Sequence, residues 1–361
     1  MRIAMLSNAA VVHTARWVER LRARGHEVRL WSLERGAGPL GAEALPRLPL
    51  PGALRYPLAA PALRRALAGF RPELVLAHFV PNYGVLGALG GWHPLVVAAW
   101  GSDLLRVAGR DPLQRARARF VLGRADLVLA DSENLAAAAR AFGAAPAKVV
   151  ALPWGVDLAR FQPGAAREPG LIVSTRMHEP VYDLPTVIEA AGRVLRERPE
   201  TRLVLAGDGS RRASLERLAA RRLPPGRFAF VGRIAPAELA GWLGRAAVAF
   251  SAARSDSTSV SLLEAMACGA LPVVCDLEGN REWVGEGEGA RLFRPGDADD
   301  AARALRAALD DPAWAERARA RNRAVVEARA DWDANMGRVE SLLEALARRG
   351  PMPARAAGGA T

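Results

Sequence analysis

The chain has 361 residues, 50% hydrophobic and 24% charged, with a formal net charge of +12, a composition that suits two globular domains and excludes a disordered or fibrous protein. No apolar run approaches the ~20 residues that cross a bilayer, and Met1–Asn8 is too short an apolar opening for a signal peptide, so a cytoplasmic protein is expected. Lys148 is the only lysine and the arginines are spread along helix patterns, without the basic tract or aromatic platform of a nucleic-acid binder; the charge leaves peripheral contact with an anionic membrane open.

Short β-rich runs alternate with helix-length patterns, which predicts an α/β chain with parallel sheets built from βαβ units. In the first half, strands are predicted at Arg2–Leu6, Val28–Trp31, Leu74–His78, Leu95–Trp100, Leu127–Ala130 and Val149–Leu152. Ser7 and Asn8 end the first of these. The loop after it holds His13 and leads to a helix over Ala15–Arg24, with Thr14 as a candidate N-cap. His78 ends another strand, and Trp100-Gly101-Ser102-Asp103 runs out of the next. Asp157–Gly170, with two Pro-Gly turns, reads as a linker. Alternation resumes at Leu171–Thr175, Leu203–Ala206, Phe228–Val231, Ala247–Ser251, Leu271–Cys275 and Arg291–Phe293. Two similar domains follow, at 1–160 and 161–348, with a Pro/Gly-rich tail at 349–361 expected to be disordered. Ligands of such sheets bind beyond the carboxyl ends of the strands, so a cleft between the halves is the expected site. Cys268 and Cys275 are the only cysteines and fall in a packed helix-to-strand region; buried thiols are expected rather than a disulfide or metal site.

The most telling stretch is Ser255–Val274. Ser257, Thr258 and Ser259 are N-cap candidates for a short helix that ends at Gly269. The amides opening that helix are unpaired and partly positive, which suits a phosphate. Asp256 stands just before the helix and Glu264 inside it, two carboxylates able to accept sugar or ribose hydroxyls.

Asp256-x7-Glu264, followed by Ala-Met-Ala-Cys-Gly-Ala-Leu-Pro-Val-Val, resembles the E-x7-E signature of retaining glycosyltransferases of the two-domain GT-B fold, family 4. Asp131–Leu135, Leu152–Asp157, Leu203–Gly209, Phe230–Ile234 and Gly279–Glu282 are also similar to that family, which extends the resemblance over about residues 1–345. The resemblance implies two Rossmann-like domains facing a central cleft, the C-terminal helix crossing back to the first. It implies that Glu264 binds the ribose of a nucleoside-diphosphate sugar and Asp256 the donor sugar. Arg176 matches the family's diphosphate-binding arginine. Many relatives place a Lys five residues later; here none follows, and Arg254, ahead of Arg211 and the mouth at Ser257–Ser259, is expected to supply that charge. The base is expected at the backbone around Gly232–Ile234, and Gly207, in a strand-to-helix turn, is a further candidate for donor binding. On the acceptor side Asp103 keeps the family's acid while Trp100 takes the place of its usual His, and His13 and His78 are further candidates.

The reaction so implied moves a sugar from a nucleoside-diphosphate sugar to an acceptor hydroxyl, carbohydrate or lipid-linked, with retention of configuration and with no other cofactor. A nucleotide-sugar epimerase of the same fold and a non-catalytic, membrane-associated binding subunit are the alternatives. Two D-x-D patterns, Asp297-Ala-Asp299 and Asp331-Trp-Asp333, precede helix patterns and read as caps, so no catalytic metal is expected.

Overall fold

The computed structural model describes residues 1–34, 40–46, 49–50 and 52–349; beyond Arg349 the expected tail lies outside them. Runs such as Ile3–Leu6, Leu74–Ala77 and Leu95–Ala98 are buried at every position. Such runs suit central strands of a parallel sheet whose crossover helices cover both faces. They sit in a seven-stranded parallel sheet of β1 (Arg2–Leu6), β2 (Glu27–Ser32), β3 (Glu43–Ala44), β4 (Leu74–His78), β5 (Leu95–Ala98), β6 (Leu127–Ala130) and β7 (Val149–Ala151), in the order β3-β2-β1-β4-β5-β6-β7. Leu6 stands opposite Trp31 on one side and Ala77 on the other.

A six-stranded parallel sheet follows, of β8 (Glu168–Ser174), β9 (Arg202–Ala206), β10 (Phe228–Gly232), β11 (Ala246–Ser251), β12 (Leu271–Cys275) and β13 (Arg291–Phe293), in the order β10-β9-β8-β11-β12-β13. Alternation in β8 divides its side chains between two cores. Ile172 packs with Val187 and Ile188 on one face, and Leu171 and Val173 pack with Leu263 and Met266 on the other. Each such burial contributes roughly 1.5–3 kcal/mol. In both sheets the strand order reverses once, between β1 and β4 and between β8 and β11, where the doubly wound topology leaves a crevice at the carboxyl ends.

The structure departs from the sequence expectations at element edges. The strand expected over Leu95–Trp100 stops at Ala98, and the last three residues of the expected linker belong to β8. β3 has no counterpart among the expected strands, because two exposed edge residues carry no alternation to read. The first helix starts at Val12 rather than Ala15. Thr14 therefore lies inside it, its hydroxyl 2.7 Å from Ser7 Oγ, and does not cap it. Asp297 accepts from the Asp300 amide at 2.9 Å and Asp331 from the Ala334 amide at 2.7 Å, so both D-x-D patterns cap helices.

The chain divides into two compact units, one of Met1–Leu152 with the residues from Met336, the other of Pro153–Asn335. The helix Trp332–Ala347 joins the first unit for a local reason. Met336, Val339 and Leu343 are buried at helical spacing, and Glu340, 5% exposed, accepts from Arg20 Nε and Arg24 Nε at 3.0 Å each. A carboxylate is tolerated in that setting because a guanidinium meets each oxygen. Among the described residues no helix is long and apolar enough to cross a membrane.

Candidate functional site

The site in the second unit is built on the helix Val260–Cys268. Of the three cap candidates Ser259 takes the role, its Oγ accepting from the Leu262 amide at 3.3 Å, and Gly269 ends the helix at φ +74°. Ser257 and Thr258 are buried instead. They lie in a segment whose backbone runs so close to Gly279 that a Cβ there would collide with the Ser257 carbonyl.

Arg176, two residues beyond β8, reaches this helix mouth and is 7% exposed. Its Nη1 donates to Ser259 Oγ at 2.7 Å and Ser261 Oγ at 2.5 Å. Its Nη2 donates to Asp256 Oδ2. The Tyr182 ring lies 4.4 Å from its Cζ. Arg176, Asp256 and Ser259, widely separated in sequence, thus meet at the point where strand order reverses. Ser261 and Tyr182 are absent from the expected set. Ser261 differs from its neighbouring serines only in falling one residue inside the helix, and Tyr182 only in ending the turn Pro180–Tyr182, so nothing but the three-dimensional contact marks them.

Arg254 is joined to the same loop. Its amide donates to Val181 O at 2.9 Å, and Nε and Nη2 both reach Asp183 Oδ2 at 2.8 Å while the side chain stays 56% exposed. Asp183, at φ +43°, precedes the helix Leu184–Glu197 and also accepts from Thr186 Oγ1 at 2.8 Å. Buried Cys275, at the end of β12, feels this group of charges. Burial, then the Asp183 carboxylate, pushes its thiol up to about 12, while Arg254 and Arg176 pull the other way. Glu264 is half-buried and helps burial push the free thiol of Cys268 up to about 12.

Gly207 forms the turn that brings the ends of β9 and β10 against Arg176. At φ +134° its amide donates to Gly232 O at 2.7 Å, and a Cβ on it would stand 2.5 Å from the Arg176 carbonyl. Gly232 is itself left-handed at φ +73°. Arg211 precedes the helix Arg212–Arg222 and bonds His178 O through its amide at 2.9 Å. A small cavity beneath the helix is lined mostly by apolar side chains such as Val173, Phe250, Leu262 and Val274, with Ser259, Ser261 and Asn280 among its polar residues. Arg176, Asp256 and the helix mouth thus share one strand end, with Arg254 tied to the loop beside it through Asp183.

In the first unit the strand ends gather Ser7, His13, His78 and Trp100. His78 Nδ1 is 3.3 Å from Ser7 Oγ, and its ring lies 5.0 Å from Trp17 and 5.3 Å from Trp100. His13 packs edge-on to Trp100 at 5.7 Å. Burial lowers His78 to about 3; burial and then Arg16 lower His13 to about 4, so both rings are neutral at pH 7. Asp103 is fully buried. It accepts from the Val80 and Trp100 amides at 3.1 Å and the Leu104 amide at 3.0 Å. Burial raises its pKa and these amides draw it back. These bonds tie Asp103 to the backbone of the two strand-end loops after β4 and β5.

Comparison with known proteins agrees with this architecture. The model for glycosyl transferases group 1 matches residues 156–326, and that for glycosyltransferase family 4 matches residues 10–160. A D-inositol 3-phosphate glycosyltransferase of Catenulispora acidiphila is 30% identical over 56% of this chain and 53% of its own length. One from Pseudarthrobacter chlorophenolicus is 28% identical over 77% of this chain and 71% of its own. The chain thus spans about half the length of the first of these curated relatives. Among solved structures, sucrose-phosphate synthase from Thermosynechococcus elongatus superposes with a TM-score of 0.80 at 22% identity, covering 96% of this chain and 99% of that one. Anabaena HepE in complex with UDP-glucose gives 0.77 at 17% identity, covering 96% and 100%. From the paired family models and the two doubly wound sheets, the chain belongs to the group 1 glycosyltransferases of family 4, with the GT-B fold.

Proposed function

We propose that the protein transfers a sugar, with retention, from a nucleoside-diphosphate sugar to the hydroxyl of a carbohydrate or lipid-linked acceptor, without a metal ion. The observation that carries this reading is the buried Arg176 at the mouth of a helix, beside Asp256 and two serine hydroxyls. When the bond from the sugar's anomeric carbon to the diphosphate breaks, negative charge grows on the phosphate oxygens. Arg176, Arg254 and the amides after Ser259 are assigned to receive it. The new bond to the acceptor oxygen forms on the face the diphosphate leaves, and the acceptor's proton passes to a departing phosphate oxygen. Asp256 is assigned to the donor sugar and Glu264 to the ribose. The HepE structure with UDP-glucose supports a nucleotide-sugar donor by likeness of fold.

Thermal stability of the wild type and Glu264→Ala against a panel of nucleoside diphosphates and their sugars tests the donor site. Ligand at ~100 times Kd adds about 2.7 kcal/mol; a shift confined to one base and weakened in the variant is expected. No shift with any nucleotide removes the transferase reading. An isomerised donor in place of transferred sugar indicates an epimerase, and strict dependence on a divalent ion after chelation removes the metal-independent reading.

Contact with an anionic membrane is assigned to the helix Pro112–Arg124. It exposes Leu113 (56%) and Phe120 (37%) among the exposed Arg115, Arg119 and Arg124, with no acid within its span. Apolar wedges set among cations suit the boundary of an anionic leaflet, where each cation adds about 1 kcal/mol. The partition coefficient onto phosphatidylglycerol vesicles, measured by sedimentation, should fall roughly thirtyfold in Arg115→Gln/Arg119→Gln. Equal binding to phosphatidylcholine vesicles would discard this surface.

A further inference from the structure

We infer that Tyr182 is a positioning residue whose aromatic ring fixes the Arg176 guanidinium for the diphosphate, an inference that rests on the donor-site reading above. A guanidinium has two faces and an edge of N–H donors. The edge of Arg176 is held by Ser259, Ser261 and Asp256, and its Cζ lies over the Tyr182 ring, 4.4 Å from the centroid.

The contact is built by the fold and does not arise from a chance surface rotamer. Tyr182 closes the short turn Pro180–Tyr182, and its amide donates to Glu179 O at 3.0 Å. The next residue, Asp183, anchors Arg254 and the following helix. The residue before, Val181, is bonded through its carbonyl to the Arg254 amide. The ring is therefore carried on a segment tied at both ends to the strand-end loops that make the site. Among the described residues the contact that ties the Tyr182 side chain to the site is the one its ring makes with Arg176.

The function of such a platform follows from what an incoming phosphate must do. It competes with Asp256 for the N–H edge of Arg176. While that exchange takes place, only contacts that do not involve the edge can keep the guanidinium in position, and the stacked ring is one of them. It also covers that face of the cation, so the charge is directed along its edge towards the ligand. In a segment without lysine, a stacked arginine held by its face supplies a fixed cation beside the helix mouth.

Affinity for the nucleoside diphosphate chosen by the stability panel, and for the matching nucleoside, should be measured by calorimetry in the full chain and in Tyr182→Phe, Tyr182→Leu and Arg176→Met. Tyr182→Leu should lose about tenfold in diphosphate affinity with nucleoside affinity and unliganded melting temperature unchanged, and Tyr182→Phe should bind as wild type. Equal loss in the Phe and Leu variants would shift the role to the hydroxyl and overturn the platform, as would wild-type affinity in Tyr182→Leu. If Arg176→Met binds the diphosphate normally, the donor-site reading falls and this inference with it; if Arg176→Met fails to bind while Tyr182→Leu binds fully, the inference falls alone.

Discussion

Replacing Arg176 by Met should lower affinity for a nucleoside diphosphate at least about a hundredfold, with a comparable loss in kcat/KM, because in the proposed reaction the guanidinium would give charge-assisted hydrogen bonds to the diphosphate and stabilise it as it leaves. The change also removes the Arg176 ion pair of Asp256, whose side chain is 19% exposed. With that counter-charge gone the carboxylate disfavours a phosphate near it more strongly, which adds to the loss. Arg176→Lys separates the two effects. Lysine restores the charge but cannot serve Ser259, Ser261 and Asp256 together from a planar fork, so partial recovery of affinity is expected. Calorimetric titration of the three proteins measures this, with unliganded melting as the control for folding. Undiminished affinity in Arg176→Met would place the diphosphate elsewhere.

The second large effect is a dependence of the first unit's stability on pH. His78 is fully buried and its folded pKa is about 3, lowered by burial and then by His13; an unfolded histidine titrates near 6.5. The folded value is the lower one, so the fold excludes a proton that the unfolded chain takes up. The stabilisation is complete above about pH 6.5 and is lost as pH falls towards 3. At pH 5 the loss from His78 is roughly 2 kcal/mol. His13, at about 4, adds in the same direction. His178 in the second unit is also lowered, first by burial, then by Arg212, so wild-type unfolding alone does not isolate His78. Denaturant unfolding of wild type and His78→Gln at pH 7 and pH 5 does. The variant should be less stable at pH 7, and the gap should narrow by about 2 kcal/mol at pH 5. A gap that stays constant would mean that His78 is protonated or exposed in the folded protein.

Much of the architecture is already present in local chemistry. Buried parallel strands demand apolar residues on both faces, so runs such as Ile3–Leu6 and Leu203–Ala206 declare themselves without any partner. The helix opening at Ser259 and closing at Gly269 is equally local, since cap hydroxyls and left-handed glycines act within one turn. From these the fold class and the helix from Ser259 to Gly269 could be read in advance, and the donor-site roles proposed for Asp256, Glu264 and Arg176 rest on the same stretch of sequence. Edges were less legible, because β3 and the start of the first helix depend on neighbours and not on periodicity.

The tertiary structure decided which side chains act on which. No spacing rule turns the Tyr182 ring onto Arg176 earlier in the same loop, and none gives Arg254 to Asp183 or adds Ser261 to the arginine's partners, because those two contacts join the loops after β8 and β11 through the reversal of strand order. Burial worked in the same way on Asp103. Its type and place suggested an acid for chemistry, and only packing showed its oxygens turned to the backbone of two loops. Sequence determines what each residue is able to donate, accept or bury; the three-dimensional closing of distant loops determines which of those capacities is used.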